Sequence, residues 1–163
     1  MKEIKIEINL RETSHYSELP EAISNLCEEA IRFSQNAYAP YSKFQVSACA
    51  LMSAGDIVRG TNVENASYPA GVCAERNVLS HAISNYPNQK LTHIAIYVNK
   101  DLDQVVPPCG ICRQSLLEAE TRQKHPIRIL LIGYKGNVIE ASSAQDLLPL
   151  SFSGEFLEEN GDK

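Results

Sequence analysis

Positive charge is not in surplus in this sequence: 15 Lys and Arg stand against 20 Asp and Glu, a net charge of -5. A surface that grips phosphate chains needs the opposite balance, so nucleic acid is excluded as a partner and a small uncharged ligand fits better. No apolar run approaches the roughly 20 residues of a membrane span, which excludes a bilayer-crossing helix and predicts no membrane partner. The N-terminus has no secretory h-region. With that absence, an odd cysteine count of five argues against a disulfide framework and predicts reduced thiols in a cytoplasmic protein. Internal repeats and low-complexity linkers are also missing. A chain of 163 residues is then expected to form a single domain, 1–163, around one core.

Periodicity along the chain predicts the elements. Ile4, Ile6, Ile8 and Leu10 alternate with Lys5, Glu7 and Asn9, the period of a half-buried strand. After Pro20, apolar residues from Ile23 to Ala37 recur at helical spacing. Val46 to Met52 and Ile57 to Val63 read as strands joined at Ala54-Gly55-Asp56. A second helix starts at Ala74 and ends at Pro87-Asn88, and the continuous apolar run Ile94 to Val98 suits a strand covered on both faces. A third helix follows Pro107-Pro108 and stops near Thr121. Ile127 to Ile132 and Val138 to Ala141 form a last pair about Gly136-Asn137, with a short helix after them. Strands alternating with helices predict an α/β class, layered around one sheet. The tail 155–163 is polar and is expected to fray.

Chemistry concentrates in one constellation. Glu75 lies two residues after Cys73, and Pro108-Cys109-Gly110-Ile111-Cys112 supplies two further thiols, a C-x-E … P-C-x-x-C pattern. Three thiolates suit zinc, and three protein ligands leave a coordination position open, the mark of a catalytic site over a structural one. The alternative is a structural clip with Cys49 or His81 as fourth ligand. His81 lies eight residues along its helix from Cys73, about 12 Å up the axis, and Cys49 sits in an apolar strand. Glu75 on its own could be a solvated residue of a helical first turn; a carboxylate inside a ligand set is better used as a proton carrier. Arg76 could draw electron density from a thiolate by hydrogen bonding, with Arg113 as helper, or either could be an ordinary surface ion pair.

The pattern matches the signature of zinc deaminases, and further segments extend the match. Ala39-Pro40-Tyr41-Ser42-Lys43-Phe44, Asn62-Val63-Glu64-Asn65-Ala66-Ser67-Tyr68, Cys73-Ala74-Glu75-Arg76, Pro108 to Gln114 and Leu147-Leu148-Pro149-Leu150-Ser151-Phe152 follow one another in order. Together they resemble the small, three-cysteine cytidine deaminases that act on free nucleosides, over roughly residues 25 to 157. The resemblance implies a three-layer α/β/α sandwich about a mixed five-stranded sheet, one Zn2+ per chain held by Cys73, Cys109 and Cys112, and Glu75 as catalytic acid and base. It implies hydrolytic deamination of cytidine and deoxycytidine at C4 of the ring. It leaves the segment 1–19 unexplained, as an extra N-terminal strand.

For the substrate, the resemblance implies that Asn62 and Glu64 hold the ribose hydroxyls and that Phe44 packs on the pyrimidine. Ala74 would offer its backbone N–H to the base carbonyl. Turn formation is the competing reading for Asn62 and the preferred one for Asn65, and plain core packing competes for Phe44. Tyr41 and Tyr68 could line the pocket wall. The resemblance further implies a homotetramer in which Phe152 closes a neighbouring subunit's site; the competing reading folds Phe152 onto its own domain. Other readings of the whole are a deaminase of a related nucleoside such as blasticidin S, and a zinc-stabilised binding module without catalysis.

Overall fold

In the computed structural model, described here for residues 1–157, six strands form one mixed sheet in the order β1-β6-β5-β4-β2-β3. The strands are β1 (Leu10–Thr13), β2 (Val46–Met52), β3 (Ile57–Thr61), β4 (Leu91–Val98), β5 (Arg128–Ile132) and β6 (Val138–Ala141); the helices are α1 (Glu21–Phe33), α2 (Ala74–Asn85) and α3 (Gly110–Gln123). Only β4 and β5 pair in parallel, joined through α3, as a parallel pair requires a crossover. Every other neighbouring pair is antiparallel. Among the described residues, no helix is long and apolar enough to cross a membrane.

The period of two in the central strands divides the core into two layers. Cys49, Ala95, Tyr97, Leu130 and Ile132 face one side and pack on Leu26, Cys27 and Ala30 of α1. Ala48, Ala50, Ile94, Ile96, Ile129 and Leu131 face the other and pack on Val78, Leu79 and Ala82 of α2 and Leu116 and Leu117 of α3. The result is the expected α/β/α sandwich. Because β4 and β3 are each antiparallel to β2, their carboxyl ends lie at the same edge of the sheet. Both strands feed helices that start at that edge, α2 after β3 and α3 after β4. Ligands of open α/β sheets bind outside the carboxyl ends of such strands. Gly60 in β3 lets α2 come close, since a Cβ there would meet Val78 Cγ2 at 2.9 Å.

Three expectations from periodicity need correction. The alternation from Ile4 to Leu10 does not form a strand; residues 1–9 have no regular structure and are exposed, and pairing begins at Leu10, opposite Ala141. Alternation shows that a segment could sit on a sheet, but β6 offers only four residues to pair with, Val138 to Ala141, and Leu10–Thr13 takes them all. The strand read as Ile57 to Val63 ends at Thr61. Val63 instead makes isolated bridges to Tyr38 and Val72, which turns the chain away from the sheet. The first helix also stops sooner than Ala37, running on past Phe33 only as a 3-10 turn over Ser34–Asn36. Of the tail expected to fray, residues 158–163 lie outside the described residues, and Gly154–Phe156 is a 3-10 turn.

Candidate metal centre

Cys73 and Cys109 are the N-caps of α2 and α3, and Cys112 lies in the first turn of α3. The two helix starts therefore bring three thiols from distant parts of the sequence to one point. Their sulfur atoms all lie within 4.8 Å of one another, and those of Cys109 and Cys112 are 3.5 Å apart. Tetrahedral zinc with Zn–S bonds of about 2.3 Å needs sulfurs about 3.8 Å apart, so this donor set fits the ion. Among the described residues, no fourth His, Cys, Asp or Glu joins the cluster. Cys49 and Cys27 are fully buried in the α1 layer, where burial pushes both thiols up to about 12.

Electrostatics also ask for a cation. Burial raises the thiols of Cys73 and Cys112, and the charge of Glu75 raises them further. Cys109 is the exception: burial opposes its ionisation, but hydrogen bonds from the backbone N–H groups of Cys112 and Ile111 and from the neighbouring thiols bring it below its ordinary value. A helix N-terminus thus lowers one thiol, and crowding overrides the same effect at the other two. Three thiolates beside a carboxylate are tolerable only around a positive ion. Glu75 itself is 5 % exposed, and burial raises its carboxyl above the usual carboxylate range. A solvated first-turn glutamate would show neither property.

A cavity of about 270 Å³ opens over this cluster, lined by Phe44, Asn62, Cys73, Ala74, Glu75 and Cys109. Ile96, Val98, Val106, Pro107, Pro108 and Val46 complete its wall. Several of these apolar walls went unread in the sequence, because a strand residue facing a cavity looks like one facing the core. Phe44 is half-buried, and the Lys100 ammonium lies 5.6 Å from its ring centroid. Ala74 is the first residue of α2, and the leading N–H groups of a helix have no partner within it. The Asn62 carboxamide accepts from Val46 N–H at 2.9 Å and donates to the Phe44 carbonyl at 2.8 Å. It therefore fixes the Phe44 backbone and still keeps one N–H and one lone pair.

Not every expected residue reaches that cavity. Glu64 accepts from the backbone N–H of Tyr41 at 2.9 Å and of Ser42 at 3.2 Å, and from the Ser42 hydroxyl. It lines a neighbouring depression with Tyr41 and Tyr68, whose rings meet edge to face at 6.3 Å. Asn65 forms the expected turn, accepting from Ser67 N–H at 2.8 Å. Arg76 does not hydrogen-bond a thiol among the described residues; it lines a groove between α2 and α3. Arg113 donates to the carbonyls of Pro108 at 2.8 Å and Leu147 at 3.0 Å, so it braces the loop that carries Cys109. Phe152 is 58 % exposed and stacks on Phe156 at 6.0 Å, away from its own chain's cavity.

Comparison with known proteins gives the class first. Residues 20–125 match the family described as the cytidine and deoxycytidylate deaminase zinc-binding region. The zinc site is thus that of a deaminase, an enzyme. The particular relatives narrow it: a cytidine deaminase of Halalkalibacterium halodurans is 41% identical over 133 residues, 80% of this chain and 93% of that protein. The crystal structure of the Burkholderia pseudomallei cytidine deaminase superposes with a TM-score of 0.69 at 36% identity, covering 78% of this chain and 97% of its own. That of Mycobacterium tuberculosis gives 0.62 at 34% identity, over 79% and 95%. The chain belongs to the cytidine deaminase family.

Proposed function

We propose that this chain hydrolyses free cytosine nucleosides, cytidine and deoxycytidine, to uridine and deoxyuridine with release of ammonia. One observation carries the reading: a carboxyl that is 5 % exposed stands beside three clustered thiols in the wall of a cavity. In this reading Cys73, Cys109 and Cys112 hold one zinc ion, and Glu75 is the catalytic acid and base. When bound, zinc supplies Lewis acidity at its open position, lowering the pKa of water there.

The chain's own groups do the rest. Glu75 removes a proton from the attacking water as the oxygen adds to C4 and passes that proton to ring N3. It then carries the second water proton to the exocyclic amine, the C4–N bond breaks, and ammonia leaves as C4 becomes a carbonyl. Burial supports this double role, since it raises the carboxyl above its ordinary value and so makes it a readier proton acceptor than a solvated carboxylate. Phe44 packs on the ring, the Ala74 N–H meets the base carbonyl, and Asn62 and Glu64 face the ribose. Asn62 lines the cavity, and Glu64 would turn from its loop contacts towards a bound sugar. Arg76 would turn from its groove to a thiolate. The test is ammonia release by zinc-loaded protein from cytidine, deoxycytidine, cytosine, dCMP, adenosine and blasticidin S. Turnover of dCMP or blasticidin S without cytidine would overturn the substrate assignment.

The reading extends to a single-domain, cytoplasmic enzyme that binds no nucleic acid, for which the net charge of -5 is the support. It also extends to a homotetramer in which Phe152 enters a neighbour's cavity. Phe152, Phe156, Leu150 and Leu157 are all more than half exposed, an apolar cluster that seeks another surface. Mixing inactive Glu75→Gln protein with inactive Phe152→Ala protein, under subunit exchange, is expected to restore part of the activity. A fully active monomer in sedimentation would overturn the shared site.

A further inference from the structure

The N-terminal arm is the largest feature that deamination leaves without a use. Residues 1–9 carry three exposed isoleucines, Ile4 at 80 %, Ile6 at 48 % and Ile8 at 48 %, followed by Leu10 at 47 %. The intervening residues carry charge of both signs, and Lys5 Nζ lies 2.7 Å from Glu7 Oε1 on the opposite face of the alternation. The arm leads straight into β1, an edge strand that pairs with nothing on its outer side among the described residues and whose face is already fixed by Leu10 opposite Ala141. An open edge continued by a β-branched, alternating segment is a template for pairing with another chain. The charges on the arm decide which chain.

We propose that the arm pairs antiparallel with the same arm of a second copy of this chain, with Ile6 opposite Ile6 on the two-fold axis. Directly opposed residues in an antiparallel pair project to the same face, so registers that oppose isoleucine to a charged residue are excluded at once. Three of the registers left set Ile6, the middle isoleucine, against an isoleucine. With Ile6 opposite Ile8, Glu7 meets Glu7; with Ile4 opposite Ile6, Lys5 meets Lys5 and Glu3 meets Glu7. With Ile6 opposite Ile6, Lys5 meets Glu7 and Glu7 meets Lys5, while Ile4 meets Ile8 twice. All three gather the isoleucines of both chains on one face, but of the three this register alone sets opposite charges against each other at positions 5 and 7, with Lys2 falling opposite Leu10 at each end. Two-fold symmetry requires this kind of self-complementarity. It involves residues 2–10 and leaves Arg11 to Thr13 to their pairing with β6.

Cysteine cross-linking reads both the pairing and its register in the full-length, zinc-loaded protein. Under mild oxidation Ile6→Cys is expected to give a disulfide-linked dimer. Ile4→Cys and Ile8→Cys alone should stay near the wild-type background, because each sits about 13 Å from its own copy in this register, beyond the roughly 7 Å Cα separation a disulfide permits. Mixed, Ile4→Cys and Ile8→Cys should cross-link to each other. Adding Lys5→Glu to Ile6→Cys should cut the product severalfold, as should adding Glu7→Lys. Mixing those two doubly substituted proteins should restore it, because one arm is then acidic at both positions 5 and 7 and the arm opposite is basic at both. Equal cross-linking by Ile4→Cys, Ile6→Cys and Ile8→Cys overturns the register. Wild-type background from all of them overturns the pairing. Deamination is the separate readout: its presence or absence bears on the metal centre and leaves the arm's result standing.

Discussion

Glu75→Gln is expected to retain zinc at one ion per chain while losing deamination by about 10⁴-fold, the upper end of what general acid–base catalysis contributes. Glutamine keeps the volume and much of the hydrogen bonding of the side chain, so the buried position it fills should not collapse. What it removes is the ability to hold a proton between the water, N3 and the departing amine. In the proposed mechanism both transfers run through the same carboxyl, and for that reason the loss should lie at the upper end. The companion measurement is binding of cytidine to the variant, which should persist, since the cavity wall of Phe44, Asn62 and Val98 is untouched. Near-normal turnover with metal in place would take Glu75 out of the mechanism. The same variant decides against a zinc-stabilised binding module, which would lose nothing by the change.

How much of this was legible in the sequence depends on the range of the interactions involved. The strand–helix order was, because each element is set by local periodicity and punctuated by residues such as Pro20, Gly55 and Gly136. The meeting of the three cysteines was legible too: each sits at or beside a predicted helix start, and the chain places both starts at one sheet edge. Partnership across the chain was not. Glu64 is held by Tyr41 and Ser42, more than 20 positions away, and no spacing rule announces that contact. Arg113 follows Cys112 directly in sequence, yet it donates to the carbonyls of Pro108 and Leu147 and not to a thiolate. The arm shows the same limit from the other side. Its alternation is as regular as that of any strand in the chain, yet β6 is too short to receive it.

Replacing Cys73, Cys109 or Cys112 with Ala is expected to lower zinc content and activity together, while Cys27→Ala and Cys49→Ala leave zinc at one per chain. The contrast follows from where the five thiols sit. Three have sulfurs within 4.8 Å of one another at the starts of α2 and α3. The other two are fully buried on the opposite side of the sheet, where burial holds each thiol at about 12 and no cation can approach. Their removal should cost stability alone, as the loss of a small packed side chain does. Among the three ligands the consequences should differ in kind. Cys112 is fully buried, so Cys112→Ala also removes a packed side chain and should lower the melting temperature of the metal-free protein. Cys109 is exposed and caps the helix from outside, so Cys109→Ala should lose zinc with little change in that apo melting temperature. Metal analysis beside calorimetry of the metal-free variants separates the two effects. Loss of zinc from Cys49→Ala would mean that a fourth thiol reaches the ion, and the open coordination position on which the whole mechanism turns would be gone.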